Sequence, residues 1–445
     1  MNFIHASDIH LGYKQYDLKE RFRDFGNSFM EIINDAVSSK VEFVLISGDL
    51  FYNRNINAPT FTQAHHVLSM LKEANIPCIA IEGNHDRAFL KDGMSWLETL
   101  EWQGLLKLIK PGQEHLMENY IDINGVRIFG MPYQGSMTSS IIPAMAEEIR
   151  AINLQSPTEY TILMMHLGIE DFMKANVIGE VAYEDLVPLK GVVDYLALGH
   201  YHNTYEVDGW IYNPGSPDTC SISEVSESKG YYHVTDRKPV LKQVNSRKFI
   251  MVDVSVNSHT DTESLMKEID ARLSMIRAPE KEPVVYVTLR GTLNFSRSYL
   301  DIDRIKESVR SKINTIYTDV KLYLLNDEFC IDRLESENFD RTSIEREVFK
   351  KIVSADSMLS SDPEALAAML CDLKDLAAEG ADNITLDSVL RKIFDDIKSN
   401  KKADRPEVTR IMEKIEKIPV KEAPVSRASS LADMIEGEVW DWRNK

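Results

Sequence analysis

Cysteine is scarce in this 445-residue chain, and no two cysteines have metal-binding spacing. A disulfide framework and a structural zinc site of the CxxC type are therefore not indicated. We expect buried or incidental thiols at all four cysteines, which are Cys78, Cys220, Cys330 and Cys371.

Long apolar runs are also lacking, since no run approaches the roughly 20 residues that span a bilayer. The N-terminus, MNFIHASDIH, has neither the basic start nor the apolar stretch of a signal peptide. The sequence therefore predicts a protein of the cytoplasm with no membrane partner.

An excess of positive charge is missing as well, because the formal net charge is −19. This balance argues against binding nucleic acid through a global positive field, although it leaves room for local contacts. An acidic solvated surface explains most of the excess. A site in which carboxylates hold divalent cations would explain a further part.

The chain changes pattern along its length. At first, short apolar runs alternate with helical patterns, which indicates an α/β fold with a sheet covered by helices. A second series of strands and helices follows in the order βαβαβ, and after it amphipathic helices predominate. A Pro- and Ser-containing linker and a short helix end the chain. The predicted regions are an α/β region at 1–240, the βαβαβ unit at 246–330, a helical region at 333–418, and the linker with the short helix at 419–445.

Polar residues stand where five predicted strands end, in HASDIH, LISGDLF, AIEGNHD, LMMHLG and LALGHYH. Loops at the carboxyl ends of strands form the ligand crevice of an α/β sheet, so these side chains can converge. Each motif alone is weak, since His166 could be a core histidine and Asn84 could cap a turn. Together they offer carboxylate, imidazole and amide ligands, a mixture that suits manganese, iron or zinc. The candidates are Asp8, His10, Asp49, Asn84, His166, His200 and His202.

Seven ligands are too many for one tetrahedral site, but they fit two ions that share a bridging carboxylate. Two ions about 3.5–4 Å apart are the arrangement that hydrolyses phosphate esters. The reaction also needs a group off the metal that stabilises the transition state or protonates the leaving oxygen. His85, next to Asn84, is the candidate. The alternative is that His85 only hydrogen-bonds to the ligands.

Five motifs in order, SDIHLGY, SGDLF, EGNHDR, ALGHYH and YNPGSP, resemble the calcineurin-like metallophosphoesterase superfamily. More closely they resemble the Mre-eleven/SbcD family of DNA double-strand-break repair nucleases, in its archaeal form. The resemblance is specific over residues 1 to about 220, and beyond them it rests on the order and position of elements. It implies a metallophosphoesterase β-sandwich flanked by helices, a small α/β DNA-capping domain and a helical C-terminal region.

The same resemblance implies roles for the candidate residues. It implies one manganese ion on Asp8, His10 and His202, a second on Asn84, His166 and His200, Asp49 bridging both, and His85 as the catalytic group. The implied activity is a 3′-to-5′ exonuclease on duplex DNA and an endonuclease on single strands. The implied partners are a Rad-fifty/SbcC-type ATPase, held by the C-terminal helices, and a second copy of the chain. Tyr52 stands where many relatives have histidine, which leaves the balance of the two activities open.

Residues that contact DNA are not assigned from the sequence. Lys14, Arg54 and Arg87 stand beside the motifs and could meet phosphates. Three tyrosines could stack on an unpaired base, or simply pack: Tyr13, Tyr52 and Tyr133. The remaining histidines are left out of the site: His5, His65, His66, His115, His233 and His259.

Two other functions remain open. A phosphodiesterase for a small molecule or cyclic nucleotide would explain residues 1–240 but leave the rest of the chain without a task. A non-catalytic scaffold that docks the ATPase would not need the complete set of metal ligands.

Overall fold

The computed structural model describes residues 1–89, 93–172, 180–277 and 279–325, and near the C-terminus residues 346, 349–350, 353, 363–378 and 391. The chain divides into two compact units, residues 1–329 and 330–445. Among the described residues, no helix is both long and apolar enough to cross a bilayer. The predicted linker and last helix at 419–445 lie outside the described residues, as does most of the predicted region 333–418.

Within residues 1–243, the described part of the chain forms fourteen strands and five α-helices. The strands are β1 (Asn2–Ala6), β2 (Phe43–Ser47), β3 (Cys78–Ile81), β4 (Lys107–Leu108), β5 (Ile121–Ile123), β6 (Val126–Met131), β7 (Tyr160–His166), β8 (Gly168–Ile169), β9 (Glu180–Val181), β10 (Tyr195–Gly199), β11 (Tyr205–Val207), β12 (Ile211–Asn213), β13 (Gly230–Thr235) and β14 (Lys238–Gln243). The helices are α1 (Lys19–Ser38), α2 (Ala58–Glu73), α3 (Trp96–Trp102), α4 (Thr138–Gln155) and α5 (Tyr183–Leu186).

Two six-stranded sheets form the frame. Their orders are β14-β13-β1-β2-β3-β4 and β11-β12-β10-β7-β6-β5. Strands β1 to β4 run parallel, as do β6, β7, β10 and β12. A strand that is buried on both faces is mostly apolar, and FVLIS in β2 and CIAI in β3 are buried at every position.

The two sheets pack face to face. Side chains such as Phe3, Leu45 and Ile79 of the first sheet form one core with Ile162 and Tyr195 of the second. Helices α1, α2 and α3 cover the outer face of the first sheet, and α4 and α5 cover that of the second. The result is a β-sandwich flanked by helices, and the predicted fold class is confirmed.

A third, parallel sheet follows, with strands β15 (Phe249–Ser255), β16 (Val284–Thr292) and β17 (Tyr317–Leu325). Helices α6 (Thr262–Ser274) and α7 (Ile302–Lys312) connect them in the predicted βαβαβ order. Asp261 caps α6, where its side chain accepts from the Ser264 amide at 2.8 Å. Tyr16 stacks on Tyr317 of β17 with ring centroids 4.0 Å apart, which joins this sheet to the loop after β1.

In the second unit the described helix is α8 (Pro363–Ala378). It contains the predicted amphipathic pattern, with Leu366, Ala367 and Cys371 buried. Glu364, in its first turn, forms ion pairs with Arg346 and Lys350.

Candidate metal centre

The seven predicted ligands converge because each follows the carboxyl end of a parallel strand. Strand β1 leads to Asp8 and His10, β2 to Asp49, and β3 to Asn84. From the other sheet, β7 ends at His166 and β10 leads to His200 and His202. The edges of both sheets therefore supply side chains to one place, as the sequence predicts.

One group of ligand atoms surrounds Asn84. Its Oδ1 lies 3.1 Å from His166 Nε2 and 3.1 Å from His200 Nδ1. Asp49 Oδ2 lies 3.4 Å from the same His166 nitrogen. These four residues form a compact cage of two oxygens and two nitrogens.

The second group lies beside the first and shares Asp49 with it. His10 Nε2 is 3.0 Å from His202 Nε2, which is 4.0 Å from Asp8 Oδ1. Ligand atoms of Asp8, His10 and Asp49 lie within 4.8 Å of one another. All seven predicted residues thus fall into two adjacent groups with one common carboxylate.

The protonation of the imidazoles fits a cation in each group. His166 Nδ1 must donate to the Ser47 carbonyl at 2.8 Å, so in the neutral ring Nε2 presents a lone pair to Asn84 Oδ1. Likewise His202 Nδ1 donates to Glu224 at 2.8 Å, which leaves Nε2 as an acceptor facing His10. Acceptors that face acceptors at these distances repel one another unless a cation or a proton lies between them.

The buried carboxylates of Asp8 and Asp49 also fit a bound cation. Asp8 is 0% exposed and Asp49 is 2% exposed, and isolated buried carboxylates are costly. Burial raises the pKa of Asp8, whereas His166 holds the pKa of Asp49 well below its usual range. Burial alone would lower the pKa of His166, but Asp49 and Asp8 raise it to about 9. The carboxylates of Asp49 and Asp8 therefore favour positive charge at His166.

The backbone at the ligands is strained. Asp8, His10 and Asp49 each have φ of 52°, and His200 has φ of 95°, in a region that side chains other than glycine rarely adopt. Such residues cost about 1–3 kcal/mol each and persist where function requires them. Gly83 is required for a steric reason, because a Cβ there would lie 2.0 Å from Asp49 Oδ1.

Asp86 clamps two of the ligand loops together. Its carboxylate accepts the amides of Leu50 at 3.2 Å and Phe51 at 3.0 Å, next to Asp49, and that of Gly83 at 3.1 Å. Burial and the nearby Asp49 raise the pKa of Asp86 to about 7. The Asp of the GNHD motif therefore joins the loop that carries Asp49 to the loop that carries Asn84.

Glu224 holds His202 and was not predicted. Burial would raise its pKa, but the hydrogen bond from His202 and the charge of Lys229 lower it to about 2. Lys229 Nζ lies 2.7 Å from Glu224 Oε2. Only the fold reveals this role, because the segment SISEVSESKG has no motif that marks one glutamate among its neighbours.

His85 is fixed at the edge of the two groups. Its backbone amide donates to Asp49 Oδ1 at 2.9 Å, and its Nδ1 donates to the Tyr52 carbonyl at 2.6 Å. Its ring lies 5.2 Å from that of His10 and stacks on Tyr52 at 5.8 Å, measured between ring centroids. The Nε2 nitrogen is left as the one that can exchange a proton.

The proposed DNA-contacting cations have different environments. Arg54 donates to the Asn84 carbonyl at 3.1 and 3.2 Å and so supports a ligand loop. Lys14 pairs with Asp17, and Arg87 is exposed.

The three candidate tyrosines all lie near the ligands. Tyr13 stacks on Tyr52 with ring centroids 3.9 Å apart, and the Tyr133 ring lies 5.4 Å from that of His200. Tyr52 in turn stacks on His85. They form an aromatic border around part of the centre.

The histidines left out of the site lie elsewhere or have structural partners. His5 is buried beneath the centre, where its nitrogens contact the Tyr195 hydroxyl and the Leu198 carbonyl, each at 3.0 Å. Burial lowers the pKa of His5 to about 3, so it stays neutral. The other five lie on the surface or in side-chain pairs: His65, His66, His115, His233 and His259.

Comparison with known proteins shows which family this chain resembles. The sequence profile of the family described as calcineurin-like phosphoesterase matches residues 1–204. Residues 1–204 are therefore similar to this family. The matched segment contains all seven ligand candidates and His85.

Relatives named DNA double-strand break repair protein Mre11 are similar over most of the chain. That of Archaeoglobus fulgidus is 26% identical and covers 74% of this chain and 75% of its own. That of Sulfolobus acidocaldarius is 26% identical, with 72% and 88% covered, and that of Saccharolobus solfataricus is 25% identical, with 65% and 75% covered. The resemblance to the archaeal Mre-eleven/SbcD type is confirmed.

Proposed function

We propose that this protein is a two-metal phosphodiesterase that cleaves DNA at double-strand breaks. The observation that carries the proposal is the pair of adjacent ligand groups that share Asp49. Two ions held about 3.5–4 Å apart are the arrangement that hydrolyses phosphate esters. The archaeal relatives, named for double-strand-break repair, support DNA as the substrate.

In this proposal each group of ligands holds one ion. Asp8, His10 and His202 hold the first, Asn84, His166 and His200 hold the second, and Asp49 bridges them. When bound, the ions lower the pKa of a water molecule and neutralise charge that develops on the phosphate. Manganese is the proposed ion, because the resemblance to the Mre-eleven/SbcD family implies it, while the oxygen and imidazole ligands alone suit manganese, iron or zinc.

His85 is the proposed catalytic group. Its Nδ1 is committed to the Tyr52 carbonyl at 2.6 Å, so the ring is held in one orientation. Its Nε2 would stabilise the phosphate or give a proton to the leaving oxygen. Positioned proton transfer of this kind contributes about 10²–10⁴-fold to a rate.

The proposed substrates are duplex DNA ends, degraded 3′ to 5′, and single strands, cut internally. Tyr52 presents an aromatic ring, stacked between Tyr13 and His85, where many relatives have an imidazole. The ratio of exonuclease to endonuclease activity therefore has to be measured separately. Arg87 is exposed beside the centre and is the proposed phosphate contact.

We further propose that the protein works in the cytoplasm as a homodimer with a Rad-fifty/SbcC-type ATPase. The proposed domain boundaries are 1–240, 246–330 and 333–418, and the last region would dock the ATPase. Deletion of residues 333–445 should abolish co-purification with the ATPase and spare manganese-dependent cleavage of a short oligonucleotide. Retained binding would refute the docking assignment.

The direct test uses the full chain with manganese on three substrates: linear duplex DNA, closed single-stranded circles and a cyclic nucleotide. We expect both DNA substrates to be cleaved, and the His85→Ala variant to lose cleavage while it still binds manganese. The His65→Ala variant, changed on the exposed face of α2, is the matched control. Intact DNA together with a cleaved cyclic nucleotide would refute the nuclease proposal.

A further inference from the structure

One thiol lies inside the proposed metal centre. The ligand atoms of Cys220, His10 and His202 lie within 4.8 Å of one another. The two imidazole nitrogens of this group are 3.0 Å apart. Cys220 follows the segment YNPGSPDT. Its sulfur lies near the same histidines to which the first ion is assigned, and it contacts the Asp218 carbonyl at 3.7 Å.

The backbone of Cys220 is held on both sides. Its amide donates to Glu224 Oε2 at 2.9 Å, and its carbonyl accepts from Gln15 Nε2 at 2.9 Å. Because Glu224 also binds His202 Nδ1 at 2.8 Å, one carboxylate fixes the thiol and the imidazole relative to each other. Ligands that are already oriented lose little freedom when a metal binds.

His10 supplies an independent sign of a ligand at this place. Its side chain is 2% exposed, yet its Nδ1 has no hydrogen-bond partner among the described residues. If Nδ1 carries the proton of the neutral ring, a buried donor lacks an acceptor and the Nε2 lone pair faces that of His202; if Nε2 carries it, Nε2 donates to His202 and the buried Nδ1 acceptor lacks a donor. A cation beside Nε2 removes the repulsion between the two lone pairs.

The donor set is softer than manganese requires. Thiolate ligands select zinc and other thiophilic ions, whereas carboxylate, carbonyl and water ligands suit manganese and magnesium. Two imidazoles and one thiolate are ligands of known zinc sites, with bonds of about 2.0–2.1 Å to nitrogen and 2.3 Å to sulfur. Asp8 Oδ1, 4.0 Å from His202 Nε2, is close enough to complete a four-coordinate site after a small shift.

We infer that His10, His202 and Cys220 form a site for a thiophilic divalent cation of the zinc class, which competes with manganese for the first metal position. The thiol proton leaves to solvent when the sulfur binds. The inference rests on the proposed metal centre, and it adds a ligand from this chain to that centre. A chain with serine in place of Cys220 would keep the manganese ligands and lose the preference for the softer ion.

The test is direct binding to the metal-free full chain, with cobalt(II) as the spectroscopic probe and zinc in competition with a chromophoric chelator. We expect wild type to show a thiolate-to-cobalt charge-transfer band that Cys220→Ser lacks. We also expect zinc to bind at least about tenfold more weakly to Cys220→Ser, since even outer partners of a metal site change affinity by about 10–100-fold. Manganese affinity should not change.

Cys78→Ala is the matched control, because Cys78 is a free thiol in strand β3. This variant should keep the cobalt band. A missing band in wild type, a band that persists in Cys220→Ser, or equal zinc affinity in both would overturn the inference. Failure of the nuclease proposal would appear separately, as absence of manganese-dependent DNA cleavage in a protein that still shows the band.

Discussion

Replacing Glu224 by glutamine should weaken metal binding and destabilise the metal-free fold through two separate contacts. One oxygen of Glu224 accepts from His202 Nδ1 at 2.8 Å, and the other lies 2.7 Å from Lys229 Nζ. The first contact sets which His202 nitrogen faces the metal position. The second neutralises an ammonium group on a residue that is 6% exposed.

The two effects have different sizes. Loss of a carboxylate that orients a metal-binding histidine typically weakens affinity by about 10–100-fold, or about 1.4–2.7 kcal/mol. A buried charge that loses its partner typically costs about 3–5 kcal/mol of stability. Lys229 keeps two neutral contacts, to Ser216 Oγ at 2.8 Å and the His202 carbonyl at 3.2 Å, so we expect the low end of that range.

A second substitution separates the two contacts. Glu224→Gln with Lys229→Met removes both charges, so it should regain most of the lost stability while manganese affinity stays low. Calorimetric titration measures the affinity, and chemical unfolding of the metal-free protein measures the stability. Glu206→Gln, changed on an exposed residue of β11, is the control. The reasoning is refuted if Glu224→Gln binds manganese like wild type, or if the double variant regains affinity together with stability.

Three further outcomes follow from other contacts. Arg21→Ala should destabilise the first unit by about 3–5 kcal/mol in thermal unfolding, because Arg21 is 0% exposed and its Nη2 lies 2.7 Å from Asp218; an unchanged midpoint would contradict this. Gly83→Ala should abolish manganese binding in calorimetry, since its Cβ would lie 2.0 Å from Asp49 Oδ1, and normal binding would show that the loop can move. Burial would raise the pKa of Asp35, but hydrogen bonds from a lysine and a tyrosine lower it. The Asp35 carboxylate therefore stabilises the fold above its unfolded pKa of about 4, and this stabilisation is lost as the pH falls through its lower pKa in the folded protein. Between about pH 5 and pH 3, the thermal unfolding midpoint of Asp35→Asn should fall less than that of wild type.

The convergence of the seven candidate ligands could be predicted because the sequence marks strand ends clearly. Apolar runs such as FVLIS predict buried parallel strands, and a polar residue just after each run must lie at one edge of a sheet. His166 and Asp49 follow this rule although they come from different sheets. That the strands form two sheets rather than one came from the family resemblance, since strand order is not visible in apolar periodicity.

The contacts that support the ligands could not be predicted, because their partners are far apart in the sequence. Arg21 pairs with Asp218 across 197 positions, and neither residue belongs to a motif. Asp86 was visible as part of GNHD, but its bonds to the amides of Leu50 and Phe51 depend on how two loops meet. Cys220 looked incidental because its partner His10 precedes it by more than 200 residues rather than by the short spacing of a thiolate pair.

These hidden contacts bear on which ion the centre prefers. The seven strand-end ligands supply only oxygen and nitrogen, a set that accepts manganese, iron and zinc alike. The loop after β12 adds two residues that do not stand at a strand end and so could not be predicted in this way. Glu224 accepts from His202 Nδ1, and the thiol of Cys220 lies near His10 and His202. Glu224 raises the basicity of the imidazole and the sulfur adds a soft donor, and both changes strengthen binding of zinc more than of manganese. On the inference of a Cys220 site, metal preference depends on a loop outside the ligand motifs, so two proteins with the same seven ligands need not use the same ion.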